Sequence, residues 1–600
     1  MNKTVWRFLL AGALALGAAA APAAEDKKVL RYAFPIAETG FDPARIVDLY
    51  SRIVTGHIFE SLYTYDHLAR PAKYRALIAD GMPEVSADFR TWTVRLKRGI
   101  YFADDPAFNG KKREVTAADF VYAYKRPVDP ANKSPIVAGV LDYKMVGLAA
   151  LRDKAIKERK PFDYDTEIEG VRALDRYTIQ FKLEEPRPRF MENLAANDLF
   201  GAQAREVVEK YGDAIPAHPV GSGPFKLTQW RRSSLIVLER NPDYREVLYD
   251  AEPAADDAEG QAILKRFKGR KLPMIDRVEV SIIEETQPRW LAFLNQQLDF
   301  IAVPAEFVNT AMPNGQVAPN LARQGVQGFR TLNADSAFLY FNMNDPVVGG
   351  YTAEKVALRR AVGLGIDMER VIAIIYRGQA LPAQSIVVPH TSGYDPAFKS
   401  ENGDFDPARA NALLDLYGYV DKDGDGWRDQ PDGSPLVLEF ATQPSQQDRQ
   451  RDELMRKDMQ RLRLKVDFKT AKWPENLKAA RAGKLQIWSL GSSAAGADGQ
   501  GSLARLYGPQ GGSQNLAFFK NKDFDEIYAR MQNMPDGPER EALFHQAKLI
   551  ATAYMPYKNW VHRIANDLAQ PWLLGYRRAL FWQEWWHMVD IDNTKRPAVK

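Results

Sequence analysis

Short stretches of alternating apolar and polar residues recur through the first half of the chain. The alternation is clear at 92–96, 179–183 and 278–282. A period of two places the apolar side chains on one face of a sheet, so each stretch predicts a half-buried strand. Between the first two of these stretches, Thr116 and Asp119 have the spacing of a helix start, with Thr116 as the N-cap and Asp119 in the first turn. This half therefore predicts strands mixed with helices.

The second half alternates longer helical stretches with strands. Strands are predicted at 338–342, 436–440 and 464–468, and helices at 352–377, 407–417 and 538–554. The helix after residue 406 has clear limits, because Asp406 can cap it, Pro407 suits its first turn and Gly418 can end it. Alternation of this kind predicts a separate α/β lobe.

The N-terminus carries an export pattern. Lys3 and Arg7 precede an uncharged run at 8–24 that contains the small residues Ala21 and Ala23. The strongly apolar part is shorter than the ~20 residues of a membrane-spanning helix. We therefore expect residues 1–23 to be a cleaved signal peptide and the mature chain to be exported.

Composition removes several classes of function. The chain has no cysteine, which excludes disulfides, thiolate metal sites and a lipid anchor on an N-terminal cysteine. Its 81 basic and 77 acidic residues give no general attraction to nucleic acid. No nucleophile elbow, phosphate loop or dinucleotide-binding motif is found, so we expect no enzyme activity and no cofactor. Because carboxylates are plentiful, an exported carboxylate-based hydrolase stays an alternative.

Several motifs occur in the order of a known family. The longest are WTVRLKRG at 92–99 and TAADFVYAYKR at 116–126, a strand and a turn that lead into a capped helix. The others are GSGPFKL at 221–227, LERNPDY at 238–244, YFN at 340–342, LRRAV at 358–362 and DPARA at 406–410. In these motifs the chain resembles the family 5 extracellular solute-binding proteins, the periplasmic components of peptide, nickel and related ABC importers.

The resemblance implies an α/β, two-lobe periplasmic binding protein fold of type II, in the large peptide-binding class, with an extra subdomain in lobe I. Lobe I is expected at 24–300, with the inserted subdomain at about 60–175. Lobe II is expected at 301–510, and 511–600 should return to lobe I. The two chain crossings at 299–303 and 509–516 would form a hinge.

The resemblance also implies a function. We expect a monomer that captures an oligopeptide-like ligand between its lobes and delivers it to the membrane permease of an ABC importer. Main-chain hydrogen bonding tolerates many side chains, which favours a peptide ligand. The alternatives are another solute, such as an oligosaccharide, an opine, a nickel chelate or haem, and a receptor that presents its ligand to a sensor.

Candidate binding residues come from the same resemblance. In lobe II, Asp498 is the expected partner of a ligand amine, and an ordinary loop carboxylate is its alternative. Trp488, Ser489, Gly491 and Ser492 are expected to bind the ligand through strand-type backbone hydrogen bonds.

The resemblance implies that the segment 37–43 of lobe I lines the ligand cleft opposite lobe II. Within this segment, we expect Glu38 and Phe41 to contact the ligand. Asp42 and Pro43 are a pair that initiates turns whatever the function.

One acidic stretch has a partial calcium-loop pattern. Asp421, Asp423 and Asp425 occupy positions 1, 3 and 5 of such a loop, and Gly426 occupies position 6. The residue at position 12 is Asp432, whose side chain is shorter than the glutamate that usually binds the ion through both oxygens. A turn without metal is the expected alternative.

Overall fold

The structure is a computed structural model that describes residues 27–581 and 584–597. The predicted signal peptide lies outside these residues. Among the residues described, no helix combines the length and the apolar character needed to cross a bilayer.

A four-stranded sheet forms the centre of the first lobe. Its strands, in spatial order, are Val29–Phe34, Arg277–Ile282, Leu235–Arg240 and Phe225–Arg231. The first two are parallel and the other pairs are antiparallel. Alternate residues of these strands enter one buried cluster together with tryptophans from the C-terminal segment. The alternation at 278–282 therefore predicted its strand correctly.

A second four-stranded sheet forms the inserted subdomain of this lobe. Its order is Glu84–Val85, Thr91–Arg95, Thr178–Lys182 and Val171–Asp175. Its apolar core includes residues from Leu62 to Ile215. The predicted limit at 175 is too early, because the strand that follows it lies inside this sheet.

The second lobe is built on an eight-stranded sheet. Six strands follow one another in space, and two shorter ones pair with the strand Tyr557–Ala569. The order of the six is Phe300–Ala302, Tyr557–Ala569, Asp335–Phe341, Ile487–Ser493, Val437–Thr442 and Lys465–Thr470. The two others are Gln327–Leu332 and Ala380–Pro382. The three strands predicted in this half are all present.

Helices cover the sheets of both lobes. Those of nine residues or more are Leu49–Ile58, Ala117–Lys125, Leu148–Glu158, Ala258–Phe267, Thr286–Leu294, Ala353–Gly365, Pro407–Leu416, Gln446–Arg461, Trp473–Arg481, Lys522–Asn533 and Pro538–Tyr554. Thr116 and Asp406 cap their helices as predicted. The continuous helix predicted at 352–377 is wrong: a second helix, Met368–Ile374, starts at Asp367, whose side chain accepts from the Arg370 amide.

The chain returns to the first lobe later than predicted. Residues of 516–547 pack in a buried cluster with Phe338 and Tyr340 of the second lobe. The return is made by the 13-residue strand Tyr557–Ala569, which we call the crossing strand. The predicted boundary at 511 and crossing at 509–516 are therefore wrong. The hinge role of 299–303 stays a prediction.

A buried ion pair ties the N-terminal loop to the inserted subdomain. Arg126 donates to both carboxylate oxygens of Asp42 at 2.5 and 2.9 Å, and the two side chains are 2% and 0% exposed. Asp42 also accepts from the Ala44 amide, so it makes a turn as predicted. Removing one partner of such a pair leaves an uncompensated buried charge.

We expect Asp42→Asn to lower the free energy of unfolding by about 3–5 kcal/mol, because Arg126 would lose its counter-charge. The additional change Arg126→Met should restore part of the loss. Urea unfolding, followed by fluorescence, measures both. Asp213→Asn is the matched control, since that side chain is fully exposed; an equal loss in this control would contradict the explanation.

Candidate functional site

A cavity of about 610 Å³ lies between the two lobes. We call it the interlobe cavity. The first lobe lines it with Tyr32, Tyr50 and Glu192, and the second with Asp335 and residues 493–495. A cavity of this size and position can enclose a small ligand, and access to it requires the lobes to separate.

The lining carries equal numbers of basic and acidic side chains. These are Arg52, Arg289, Arg563 and Arg578, and Glu192, Asp198, Asp335 and Glu584. Arg52 contacts Asp198 at 2.5 Å, and Arg563 contacts Asp335 at 3.0 Å. Arg578 is bound by Asp567 of the crossing strand at 2.6 Å. Most charges in the cavity thus have protein counter-charges.

Arg289 differs from the other arginines. Its guanidinium donates to the carbonyls of Ile283 and Glu284 at 2.6 and 3.1 Å. Among the described residues it forms no ion pair with a carboxylate. Arg289 is 9% exposed, and burial lowers the pKa of its guanidinium group. This cation can therefore gain from an anionic ligand group.

Glu192 is the corresponding acidic group. Its Oε1 accepts from the backbone amide of Asp498 at 3.0 Å, and no lysine or arginine of the described chain is within ion-pair distance. Burial, reinforced by the negative charge of Asp498, raises the pKa of Glu192 to about 8, although Arg189 and Arg540 oppose the shift. At neutral pH this carboxyl group is mostly protonated, and a cationic ligand group would favour its ionised form.

Asp498, the predicted partner of a ligand amine, is already bound by protein cations. Arg540 donates to both of its oxygens at 2.8 Å, and Nε of Arg189 lies 2.6 Å from Oδ2. Ser392 donates to Oδ1 at 2.8 Å. Two guanidinium groups and a hydroxyl leave this carboxylate no unmet charge. The prediction that Asp498 pairs with the ligand amine therefore does not fit the structure.

Arg189 joins the lobes at this point. It belongs to the inserted subdomain, and it also donates to the carbonyls of Met531, Gln532 and Met534 at 2.6, 2.9 and 2.7 Å. Those carbonyls belong to the last turn and the C-cap of the helix Lys522–Asn533, where the helix dipole favours a cation. We call the contacts of Arg189 with Asp498 and these carbonyls the arginine clasp. It holds the second lobe against the first.

The strand residues predicted to bind ligand have different surroundings. Trp488 is 1% exposed in the core of the second lobe. Ser492 accepts a hydrogen bond from Arg505. Ser489 and Gly491 line a smaller cavity beside the interlobe cavity. The part of this segment that faces the interlobe cavity is 493–495, immediately after the predicted residues.

Glu38 and Phe41 do not line the interlobe cavity. Glu38 accepts from Trp230 Nε1 at 2.6 Å and from the Ser233 amide at 3.0 Å. Phe41 is fully buried, and its ring centre is 4.9 Å from that of Trp230. Both side chains stabilise the entry loop internally, so their predicted contact with ligand does not fit this arrangement.

The predicted calcium residues form a turn. Asp421 accepts from the amides of Gly424 and Gly426, and Asp423 accepts from the amide of Asp425. Asp425 in turn accepts from the Trp427 amide at 2.8 Å. These contacts explain the acidic and glycine-rich sequence without an ion. Calcium binding stays a prediction.

Sequence reasoning did not find Glu192, Arg289 or Arg563. Glu192 and Arg289 lie on ordinary helices, and their spacing carries no motif. Arg563 lies in the middle of the largely buried strand at 557–569. A charge in the middle of such a strand indicates a specific partner, here Asp335.

Comparisons with known proteins agree with this architecture. Residues 73–514 match the family model of bacterial extracellular solute-binding proteins, family 5. The chain is 25% identical to di/tripeptide-binding protein 2 of Pseudomonas aeruginosa, with 94% of this chain and 95% of the relative covered. It is 22% identical to heme-binding protein A of Haemophilus influenzae, with 93% and 91% covered.

Solved structures confirm the predicted two-lobe fold. The periplasmic binding protein DppA of Helicobacter pylori, in complex with the peptide STSA, matches with a TM-score of 0.72 and 21% identity. That alignment covers 94% of this chain and 98% of the other. The family model spans most of the chain and the fold agrees with it, so the protein belongs to the family 5 bacterial extracellular solute-binding proteins.

Proposed function

We propose that this protein captures a short peptide or a peptide-like zwitterion between its lobes and delivers it, unchanged, to the permease of an ABC importer. The observation that carries the proposal is a pair of ionisable side chains in the interlobe cavity that have no protein counter-charge. Arg289 lacks a carboxylate partner and Glu192 lacks a cationic one among the described residues. A zwitterion would supply both counter-charges.

The relatives support a peptide ligand. Di/tripeptide-binding protein 2 is named for peptides, and DppA holds the peptide STSA. Heme-binding protein A is named for a different solute, but the interlobe cavity contains neither histidine nor methionine among its described lining residues. Charged groups of both signs suit a zwitterion better than a large apolar ring.

The place of action follows from the family. Its members are extracellular or periplasmic binding proteins, and the N-terminal pattern of this chain is that of an exported protein. A binding protein must release its ligand intact, whereas a hydrolase consumes it. In the cavity, Asp198 and Asp335 are paired with arginines, which favours binding over acid–base catalysis by these two carboxylates.

Closure should depend on the arginine clasp. Arg189→Met removes four hydrogen bonds and two ion pairs between the lobes, so the closed form should lose at least about tenfold in population without ligand. Small-angle X-ray scattering would show a larger radius of gyration.

Arg205→Met is the control for the clasp, because Arg205 pairs with Asp165 and Glu209 inside the first lobe. It should leave the scattering curve unchanged. An unchanged curve for Arg189→Met as well would contradict the role of the clasp.

Binding of a free amine should release a proton. Glu192 has a pKa of about 8 in the closed protein, so at pH 7 an approaching ammonium group should lower that pKa and expel close to one proton. Calorimetry of Ala-Ala in buffers of different ionisation enthalpy measures this release. Glu192→Gln should abolish it, and N-acetyl-Ala-Ala should not show it. Equal proton release in wild type and Glu192→Gln would contradict the assignment.

Arg289 should recognise the ligand carboxylate. We expect Arg289→Gln to weaken the binding of Ala-Ala by about tenfold or more and that of Ala-Ala-amide much less, because only the acid carries the charge. The ratio of the two dissociation constants separates recognition from a general loss of structure. If Arg289→Gln weakens the binding of both ligands by the same factor, Arg289 does not recognise the carboxylate and only supports its helix.

A further inference from the structure

A second, smaller cavity lies next to the interlobe cavity. Its volume is about 340 Å³, and the two cavities share Arg563 and Ile564 as lining residues. Arg563 is fixed between them by its ion pair with Asp335 at 3.0 Å. We call this space the side cavity. A ligand held in the interlobe cavity can thus extend into it past Arg563.

The side cavity lies along an open strand edge. Ile487–Ser493 pairs with Asp335–Phe341 over its whole length, but its other neighbour, Val437–Thr442, pairs with it only at Ile487 and Trp488. Beyond that point no described strand occupies this edge. Ser489 and Gly491, which line the cavity, therefore have a backbone edge available for strand-type hydrogen bonds.

Amide side chains dominate the remaining polar lining. They are Gln379, Gln443, Gln447 and Asn566. Asn566 is 5% exposed, and its Nδ2 donates to Gln379 Oε1 at 3.2 Å and to the Ile564 carbonyl at 3.3 Å. Its Oδ1 has no hydrogen-bond partner among the described residues. A buried acceptor without a partner is stabilised when a ligand donates a hydrogen bond to it.

The cavity offers no net charge to a ligand. None of its described lining residues is acidic, and its arginines are bound elsewhere: Arg451 to Asp448 at 3.0 Å and Arg563 to Asp335. Trp473, 48% exposed, supplies an aromatic face. Amides and an indole suit an uncharged group that has both donors and acceptors.

We propose that the side cavity is a specificity subsite for a neutral, hydrogen-bonding part of the ligand, such as a side-chain amide of a longer peptide or an amino sugar attached to one. The proposal deepens the proposed function and rests on it. It predicts selection by chemistry rather than by length alone, because a charged extension would lose its hydration without gaining a counter-charge.

Calorimetry with tetrapeptides of equal length tests the subsite. Ala-Ala-Gln-Gln should bind at least about tenfold more tightly than Ala-Ala-Glu-Glu and Ala-Ala-Leu-Leu. A second arm compares Ala-Ala-Ser-Ala with the same peptide carrying O-linked N-acetylglucosamine, which distinguishes an amide side chain from a sugar. The double variant Gln443→Leu/Gln447→Leu should remove whichever preference is found and leave Ala-Ala binding within about twofold.

Gln446→Leu is the matched control, because Gln446 is in the same helical turn as Gln447 but does not line the cavity. It should keep the preference. The absence of any preference in wild type, or its survival in the double variant, would overturn the subsite.

A measurement that does not need peptide binding separates this inference from the proposed function. The indole resonance of Trp473, assigned with Trp473→Phe, should shift when millimolar N-acetylglucosamine or N-acetylglutamine amide is added. A failure of Ala-Ala to bind would overturn the peptide function. An unshifted Trp473 resonance with both probes would overturn the subsite, even if Ala-Ala binds.

Discussion

One carboxylate, Asp498, holds the two lobes in contact. It accepts hydrogen bonds from Arg540 of its own lobe and lies 2.6 Å from Arg189 of the other. Because Arg189 also caps the end of a helix in the second lobe, its position fixes one lobe against the other. Opening must break these contacts, which links ligand exchange to the clasp.

The engagement of Asp498 determines which groups remain for the ligand. This acid is engaged by protein cations, and the neighbouring segment 493–495 presents only small neutral residues to the cavity. In the proposed function, recognition of charge therefore passes to the first lobe, where Glu192 and Arg289 lie. Glu192 is also joined to the clasp through the amide of Asp498, so ligand binding and closure involve adjacent groups. Binding and closing can then favour each other.

Local patterns predicted the elements of the fold well. Thr116, Asp406 and the stretch 538–554 gave helix limits that agree with the structure, because caps and periodicity act within a few residues. The break before Asp367 was missed although an aspartate there can cap a new helix. The return to the first lobe was misplaced because the crossing strand pairs with Phe300–Ala302 and Gln327–Leu332, which are more than 200 residues away in sequence.

The site was less predictable for the same reason. Asp498 was singled out by resemblance, but its role depends on Arg189, some three hundred residues earlier. Glu38 and Phe41 lie in the expected loop, yet both contact Trp230, which donates a hydrogen bond to Glu38 and packs against Phe41. Single residues such as Arg289 gain meaning only from the groups that surround them in space.

Native mass spectrometry of the protein purified from a periplasmic extract, without unfolding, tests the central claim most directly. The account predicts that the closed protein retains a ligand of peptide mass, which is released unaltered and binds again. A retained haem or metal ion, or a ligand that is released in cleaved form, would contradict it.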